Sequence, residues 1–178
     1  MCKEKYESDI HEEEERMSFV VFLDIDGVLN TRTSCVRTPS AKYYGVEESR
    51  ISLLSHAMRQ NRADGVVLTT TWKNMRPDDE DFVYLVEALK EYDIEVLGRT
   101  KERWGSQREE GIKEYLKENP SVDEYVILDD NQYGFDDYNK MWERFLDTKG
   151  KGIENATYAS RTPAIETMLF LDAIKERS

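Results

Sequence analysis

A chain of 178 residues with 37 acidic against 25 basic side chains carries a formal charge of −12. That balance excludes indiscriminate nucleic-acid binding, whose affinity comes largely from Lys and Arg on phosphates, but it leaves room for a locally basic mouth to a site. No apolar run approaches the roughly 20 residues of a membrane span and no signal-peptide core follows Met1, so the expectation is a cytosolic protein of one domain, without a membrane partner.

Residues 1–16 are mostly polar and include Glu12-Glu13-Glu14-Glu15, which predicts a solvated, mobile tail or a frayed helix ahead of a single domain over 17–178. Cys2 and Cys35 are too few for a disulfide framework and lack metal-ligand spacing, so both are expected to be reduced. His11 and His56 are isolated, with His56 on the surface or flank of a helix.

The tail runs into Phe19-Val20-Val21-Phe22-Leu23 and then Asp24-Ile25-Asp26-Gly27. A short apolar run rich in β-branched and aromatic residues reads as a strand buried on both faces. Charge rarely sits inside such a strand, so Asp24 should close its carboxyl end, where open α/β sheets bind ligands. Residues i and i+2 share one side of an extended chain, so Asp24 and Asp26 can turn their carboxylates into one small volume. The repulsion resolves if a divalent cation sits between them or if one carboxyl keeps its proton. An aspartate nucleophile, a protonated aspartate acid and Mg²⁺ together use both outcomes. An Asx-type turn, or a pair that merely holds a metal, are the plainer readings. Gly27 lets the chain turn away without covering the acids.

Residues 31–45 have no clear period and predict a loop over the site, carrying Arg32, Arg37, Lys42, Tyr43 and Tyr44. Cations with aromatics beside a carboxylate centre can steer a phosphate-bearing substrate and stack a base. An ordinary polar loop with both tyrosines packed on the body fits equally well. A helix follows over 46–62, with Ile51, Leu54, Ala57 and Met58 on one face, and Asp64-Gly65 ends it. This leaves no room for a folded cap domain before the second strand, Gly65 to Leu68, and an open site suits a bulky substrate. That strand ends in Thr69-Thr70-Thr71, with Trp72, Lys73 and Arg76 expected at the rim.

Pro77-Asp78-Asp79-Glu80 starts a second helix, with Phe82, Val83, Leu85, Val86 and Leu89 as its buried stripe. Ile94 to Leu97 predict a third strand closed by Gly98, followed by a basic connector over 99–105. A helix over 106–118 opens on Ser106 with Glu109 three residues on, a capping-box arrangement. Tyr125-Val126-Ile127-Leu128 then repeat the first strand's logic by ending in Asp129-Asp130. Mg²⁺ favours oxygen ligands and takes one or two protein carboxylates, which Asp24 with Asp129 or Asp130 supply, Asp26 offering its backbone carbonyl. A fifth strand over 144–148, a glycine-rich turn over 149–153 and a last helix capped by Thr162-Pro163 complete the chain. That helix carries Ile165, Met168, Leu169 and Ile174 as its apolar face.

The stretch Leu23 to Asn30, the threonines after the second strand and the acids after the fourth resemble, in order, the motifs of the haloacid dehalogenase (HAD) superfamily, mostly Mg²⁺-dependent phosphatases and phosphotransferases. The segment Leu146-Asp147-Thr148 with Gly152-Ile153 and the last helix look closest to the HAD-like domains of bacterial and phage RNA-repair proteins. The resemblance implies a Rossmann-like three-layer α/β sandwich with a mainly parallel five-stranded sheet, order 5-4-1-2-3, and no large cap. It also implies an aspartyl-phosphate mechanism: Asp24 as nucleophile, Asp26 as acid and base, Thr69 and a cation as charge stabilisers. Arg108 is the choice of cation, ahead of Lys113 and Lys101, although a lone Arg on an acidic helix is more often a surface ion pair. Thr70, Lys73 and Arg32 are candidate substrate contacts, and Asp24, Asp26, Asp129 and Asp130 the candidate Mg²⁺ ligands. The expected activity is hydrolysis of a phosphomonoester, on a nucleotide or nucleic-acid end or on a small molecule or protein. A metal-binding module without turnover, or a subunit that only recognises polynucleotide ends, are the other classes. No phosphate-binding Gx₄GK[ST] loop is present, so no P-loop kinase half is expected.

Overall fold

Strand β1 (Ser18–Leu23) lies at the centre of a six-stranded sheet, and every other element is placed by its distance from it. The computed structural model describes residues 18–101, 108–132, 135 and 140–178. The predicted tail over 1–16, with His11 and Cys2, and the predicted Ser106 cap lie outside them.

The other elements are α1 (Glu48–Gln60), β2 (Gly65–Leu68), α2 (Glu80–Lys90), β3 (Val96–Arg99) and α3 (Arg108–Glu118), followed by β4 (Val122–Asp129), β5 (Phe145–Asp147), β6 (Thr157–Tyr158) and α4 (Ile165–Lys175). The sheet order is β3-β2-β1-β4-β5-β6, the predicted order with one strand added. The first five strands pair in parallel and β6 runs antiparallel to β5. Both residues of β6 are exposed, so there was no apolar run to announce it.

Alternation along β1 explains the layers. Val21 and Leu23 face one side and pack with Leu54, Leu85 and Phe170 from α1, α2 and α4. Val20 and Phe22 face the other side, with Ile112 from α3 and Phe145. Because both faces are covered, the run Phe19–Leu23 is apolar throughout rather than alternating.

Several element boundaries differ from the periodic reading: α2 starts at Glu80 with Asp79 as its cap rather than at Pro77, β4 begins at Val122 and β5 covers only Phe145–Asp147. Helix α1 starts at Glu48, not Val46, because the Glu47 amide is spent on the Leu29 carbonyl at 2.9 Å and keeps the chain extended there. Strand β3 covers Val96–Arg99 and so includes Gly98, and Leu97 on this edge strand stays largely exposed. Helix α4 is capped by Ala164 with no side-chain bond, and Thr162 lies ahead of it.

The predicted stripes of α2 and α4 also need correction. Val83 of α2 is exposed while Phe82, Leu85 and Leu89 are buried. On α4, Ile165, Met168 and Leu169 face outward, and the buried side is Thr167, Phe170, Leu171, Ala173 and Ile174. Helix α4 is apolar on most of its circumference, so periodicity alone could not say which side meets α1.

Between β1 and β2 the chain holds a turn, a small hairpin and α1, with no folded cap inserted. In the hairpin Arg37 pairs antiparallel with Tyr44, and its tip is pinned where Ser40 donates from its amide (2.9 Å) and hydroxyl to the buried Asp81 of α2. Burial pushes the Asp81 carboxyl up, but the donors of Ser40 and Thr38 and the charge of Lys42 outweigh it and hold it below the usual range. A depressed carboxylate adds stability above its unfolded pKa and loses it as the pH falls through the folded value. Asp81→Asn is therefore expected to cost about 2 kcal/mol at neutral pH, the scale of hydrogen bonds to a charged group. Chemical denaturation at pH 7 and pH 3 checks this: the gap between wild type and variant should narrow in acid, and a gap independent of pH would sink it.

Candidate active site

Parallel register builds the site. Leu23 pairs with Leu68 of β2 and with Leu128 of β4, so the next residue on each strand, Asp24, Thr69 and Asp129, emerges side by side. The ladder continues one step further, with the Asp24 amide on the Leu128 carbonyl and the Thr69 amide on the Leu23 carbonyl, each at 2.9 Å.

Asp24 is 2% exposed; one carboxylate oxygen accepts from the Ile25 amide at 2.8 Å, the other from the Arg108 guanidinium at 2.8 Å. The same Arg108 nitrogen donates to Asp129, so one guanidinium from the start of α3 bridges the first and fourth strands. Burial penalises that charge, yet Asp24 and Asp129 outweigh it and hold Arg108 firmly protonated. Lys113 and Lys101, the other candidate cations, are engaged with Glu109 and Glu110 and with Glu114 and Glu118, respectively.

Asp24, Asp129 and Asp130 each bring a carboxylate oxygen within 4.8 Å of the others. Burial, then the charge of Asp24, pushes Asp129 up to about 7 against the pull of Arg108. Burial and Asp24 also raise Asp130. Three converging carboxylates, two of them driven toward protonation by burial and by the neighbouring charge, form an oxygen donor set that suits Mg²⁺. Gly27 is required beside them: its φ is +82°, and a Cβ there would stand 2.3 Å from an Asp130 oxygen.

Asp26 lies outside this group of three. Its two oxygens accept from the Trp72 indole N–H and the Asn30 side-chain amide, each at 3.0 Å. Asn30 also donates to the Tyr44 carbonyl at 3.0 Å, tying Asp26 to the hairpin. The rim position expected for Trp72 is wrong: the indole is fully buried, because a 3₁₀ turn over Thr71–Asn74 swings it inward, with Tyr43 against it at 5.4 Å between ring centroids.

The threonines separate by role. Thr69 is 2% exposed and its hydroxyl has no hydrogen-bond partner among the described residues, whereas the Thr70 hydroxyl accepts from the Trp72 amide at 3.4 Å and caps the turn. Lys73, half-buried, donates to the Thr100 hydroxyl at 3.0 Å, and Arg76 is exposed and paired with Asp78.

Arg32 lines a cleft of about 580 Å³ together with Asp26, Tyr44, Asp130, Lys149 and Gly150. Arg37 stacks on Tyr44 at 4.0 Å from the ring centroid. Sequence reasoning missed Asn30, which carries no separate signal inside the first motif, and Lys149, which reads as part of a glycine-rich turn. Thr148 was also missed: its buried hydroxyl donates to the Gly27 carbonyl at 2.8 Å and staples the loop after β5 to the turn after β1.

No match was found among curated proteins or among solved structures. One family does match, over residues 20–157, a span that runs from within β1 through β5 and holds Asp24, Asp26, Thr69, Arg108, Asp129 and Asp130. The chain belongs to the family described as the HAD domain in Swiss Army Knife RNA repair proteins, within the HAD superfamily of hydrolases and phosphatases.

Proposed function

We propose that this protein is a Mg²⁺-dependent phosphomonoesterase that works through an aspartyl-phosphate, on the end phosphate of a nucleotide or nucleic acid. The observation that carries the proposal is Asp24 closing the central strand, with Arg108 on one oxygen and, on the adjacent strand, the buried Thr69 hydroxyl, which no described residue partners. A buried hydroxyl without a partner costs free energy unless a ligand supplies one, and a phosphoryl oxygen would.

In the first step an Asp24 oxygen attacks phosphorus while the bond to the ester oxygen breaks. Asp26 delivers its proton to that oxygen and the alcohol leaves. Water then attacks the phosphorus of the aspartyl-phosphate and gives its proton to Asp26, which releases inorganic phosphate and restores Asp24. Thr69 and Arg108 donate to the oxygens on which charge accumulates. Asp24, Asp129 and Asp130, with the Asp26 carbonyl, would hold Mg²⁺, which supplies charge neutralisation for the nucleophile and the phosphoryl group. Trp72 and Asn30 fix the Asp26 carboxylate, each through one hydrogen bond.

The test uses leaving groups. A poor leaving group needs its oxygen protonated and a good one does not. Asp26→Asn should therefore lower kcat about 10²–10⁴-fold on a ribose phosphate, the usual range for general acid catalysis, and far less on nitrophenyl phosphate. Equal losses on the two esters would remove Asp26 as the acid.

A second reading, a metal-binding module without turnover, has one observation in its favour: Arg108 already holds the Asp24 carboxylate in an ion pair while bridging to Asp129. Phosphate release from nitrophenyl phosphate by the wild type separates the two.

A further inference from the structure

The cleft beside Asp26 contains features that the proposed chemistry does not use. If Asp26 protonates the leaving oxygen, the remainder of the leaving group must extend into the space that Asp26 faces, and this cleft of about 580 Å³ has a volume that suits a nucleotide-sized group. Two cations reach it from loops far apart in the chain, Arg32 after β1 and Lys149 after β5. Neither is ion-paired with any described residue, although acids outnumber bases 37 to 25 in the sequence and Arg50, Arg76, Arg144, Lys101 and Lys113 all hold carboxylates.

Lys149 also sits where its backbone should not favour a lysine. Its φ is +54°, a left-handed conformation that glycine adopts more cheaply. Its amide is held by Asp147 at 2.7 Å, and the loop is stapled to the Gly27 carbonyl by the Thr148 hydroxyl at 2.8 Å and the Gly152 amide at 3.0 Å. The surroundings thus impose the conformation, and a non-glycine residue at a strained backbone position is a pointer to function. Tyr44 adds a half-buried ring on the same cleft, backed by the Arg37 guanidinium.

We propose that Arg32 and Lys149 form a second anion subsite, so that the substrate is a phosphomonoester whose alcohol carries another phosphate. This rests on the phosphatase reading for its orientation. A nucleotide with phosphates on both its 3′ and 5′ oxygens has this chemistry, and so does the terminal nucleotide of a phosphorylated polynucleotide. The overall charge of −12 does not oppose it at long range, because at physiological salt fields are screened over about 8 Å. Of the carboxylates on the cleft wall, Asp26 is the proton donor of the proposed chemistry and Asp130 a proposed Mg²⁺ ligand, which leaves Arg32 and Lys149 for the second anion.

Calorimetry on the Asp24→Asn protein in Mg²⁺ reads affinity without turnover. A nucleoside 3′,5′-bisphosphate should bind at least about tenfold tighter than either monophosphate, an advantage that shrinks as salt rises. Lys149→Gly and Arg32→Gln should each erase most of that advantage. Lys149→Gly should also melt no lower than its parent, since glycine relieves the left-handed strain. A merely structural lysine would instead lower the melting temperature and leave the affinity ratio intact, which overturns the proposal, as does equal affinity for bisphosphate and monophosphate. An oligonucleotide with a terminal phosphate distinguishes the sources: tighter binding than the bisphosphate marks a polynucleotide end, and equal binding marks a small bisphosphate. Failure of the wild type to hydrolyse nitrophenyl phosphate would defeat the phosphatase reading alone, because the binding comparison does not depend on turnover.

Discussion

Asp24→Asn is expected to lower kcat by about 10⁴-fold or more, the scale seen when a covalent nucleophile is removed. The amide is nearly isosteric but a poor nucleophile, so no aspartyl-phosphate should form. The fold should survive. Asp24 accepts from the Ile25 amide and from Arg108, and an amide can satisfy only one of these through its oxygen. Against that loss, removing the charge relieves Asp129 and Asp130, both of which are raised in part by Asp24. The metal-free variant should therefore melt close to the wild type, while Mg²⁺ should stabilise it less. Single-turnover assays with labelled substrate and melts with and without Mg²⁺ check both halves. Residual activity within about a hundredfold of wild type would exclude the covalent route.

Removal of Mg²⁺ is the second large effect. Excess EDTA should abolish hydrolysis, because among the described residues only Arg108 is ion-paired with these acids, one positive charge against Asp24, Asp129, Asp130 and an incoming phosphate. Stability should respond with a definite sign. Asp129 is raised to about 7 in the folded protein, so the folded state keeps a proton that the unfolded chain has already lost by then. Metal-free protein should thus lose stability as the pH rises from about 4 to about 7. Mg²⁺ binds the ionised carboxylates and should reverse the trend. At a hundred times its dissociation constant it adds about 2.7 kcal/mol. For a domain of this size that is roughly 5–10 °C in Tm. The Mg²⁺-induced shift should be clearly larger at pH 8 than at pH 5.5. Equal shifts at both, or full activity in EDTA, would contradict the metal assignment.

The strands that carry the acids were legible because their signal is local. Phe19–Leu23 and Tyr125–Leu128 are unbroken apolar runs ending in carboxylates, and a run covered on both faces admits no other pattern; both lie in strands, β1 and β4. Sheet order was not readable from any single segment and came from the resemblance to the HAD superfamily that the motifs carry. Strand β6 escaped for the opposite reason, being two exposed residues that pair with β5.

What depended on the third dimension was the destination of individual side chains. Trp72 follows a strand as though it belonged at a rim, but the turn over Thr71–Asn74 buries it against Asp26. Helix α4 offers apolar residues on several sides, and only packing against α1 decided that Phe170 and Ile174 go inward while Ile165 and Leu169 stay out. Arg108 opens an acidic helix where a lone Arg is more often a surface ion pair; the topology sets that helix start beside β1 and β4, where its guanidinium meets two buried carboxylates. Lys149 reaches the Asp26 cleft because Thr148 and Gly152 bind the Gly27 carbonyl, a contact between segments far apart in the chain. Composition and periodicity determine which segments become strands and helices and which ends bear charge. Register and turn geometry decide which of those charges meet, because they depend on contacts that no local window contains.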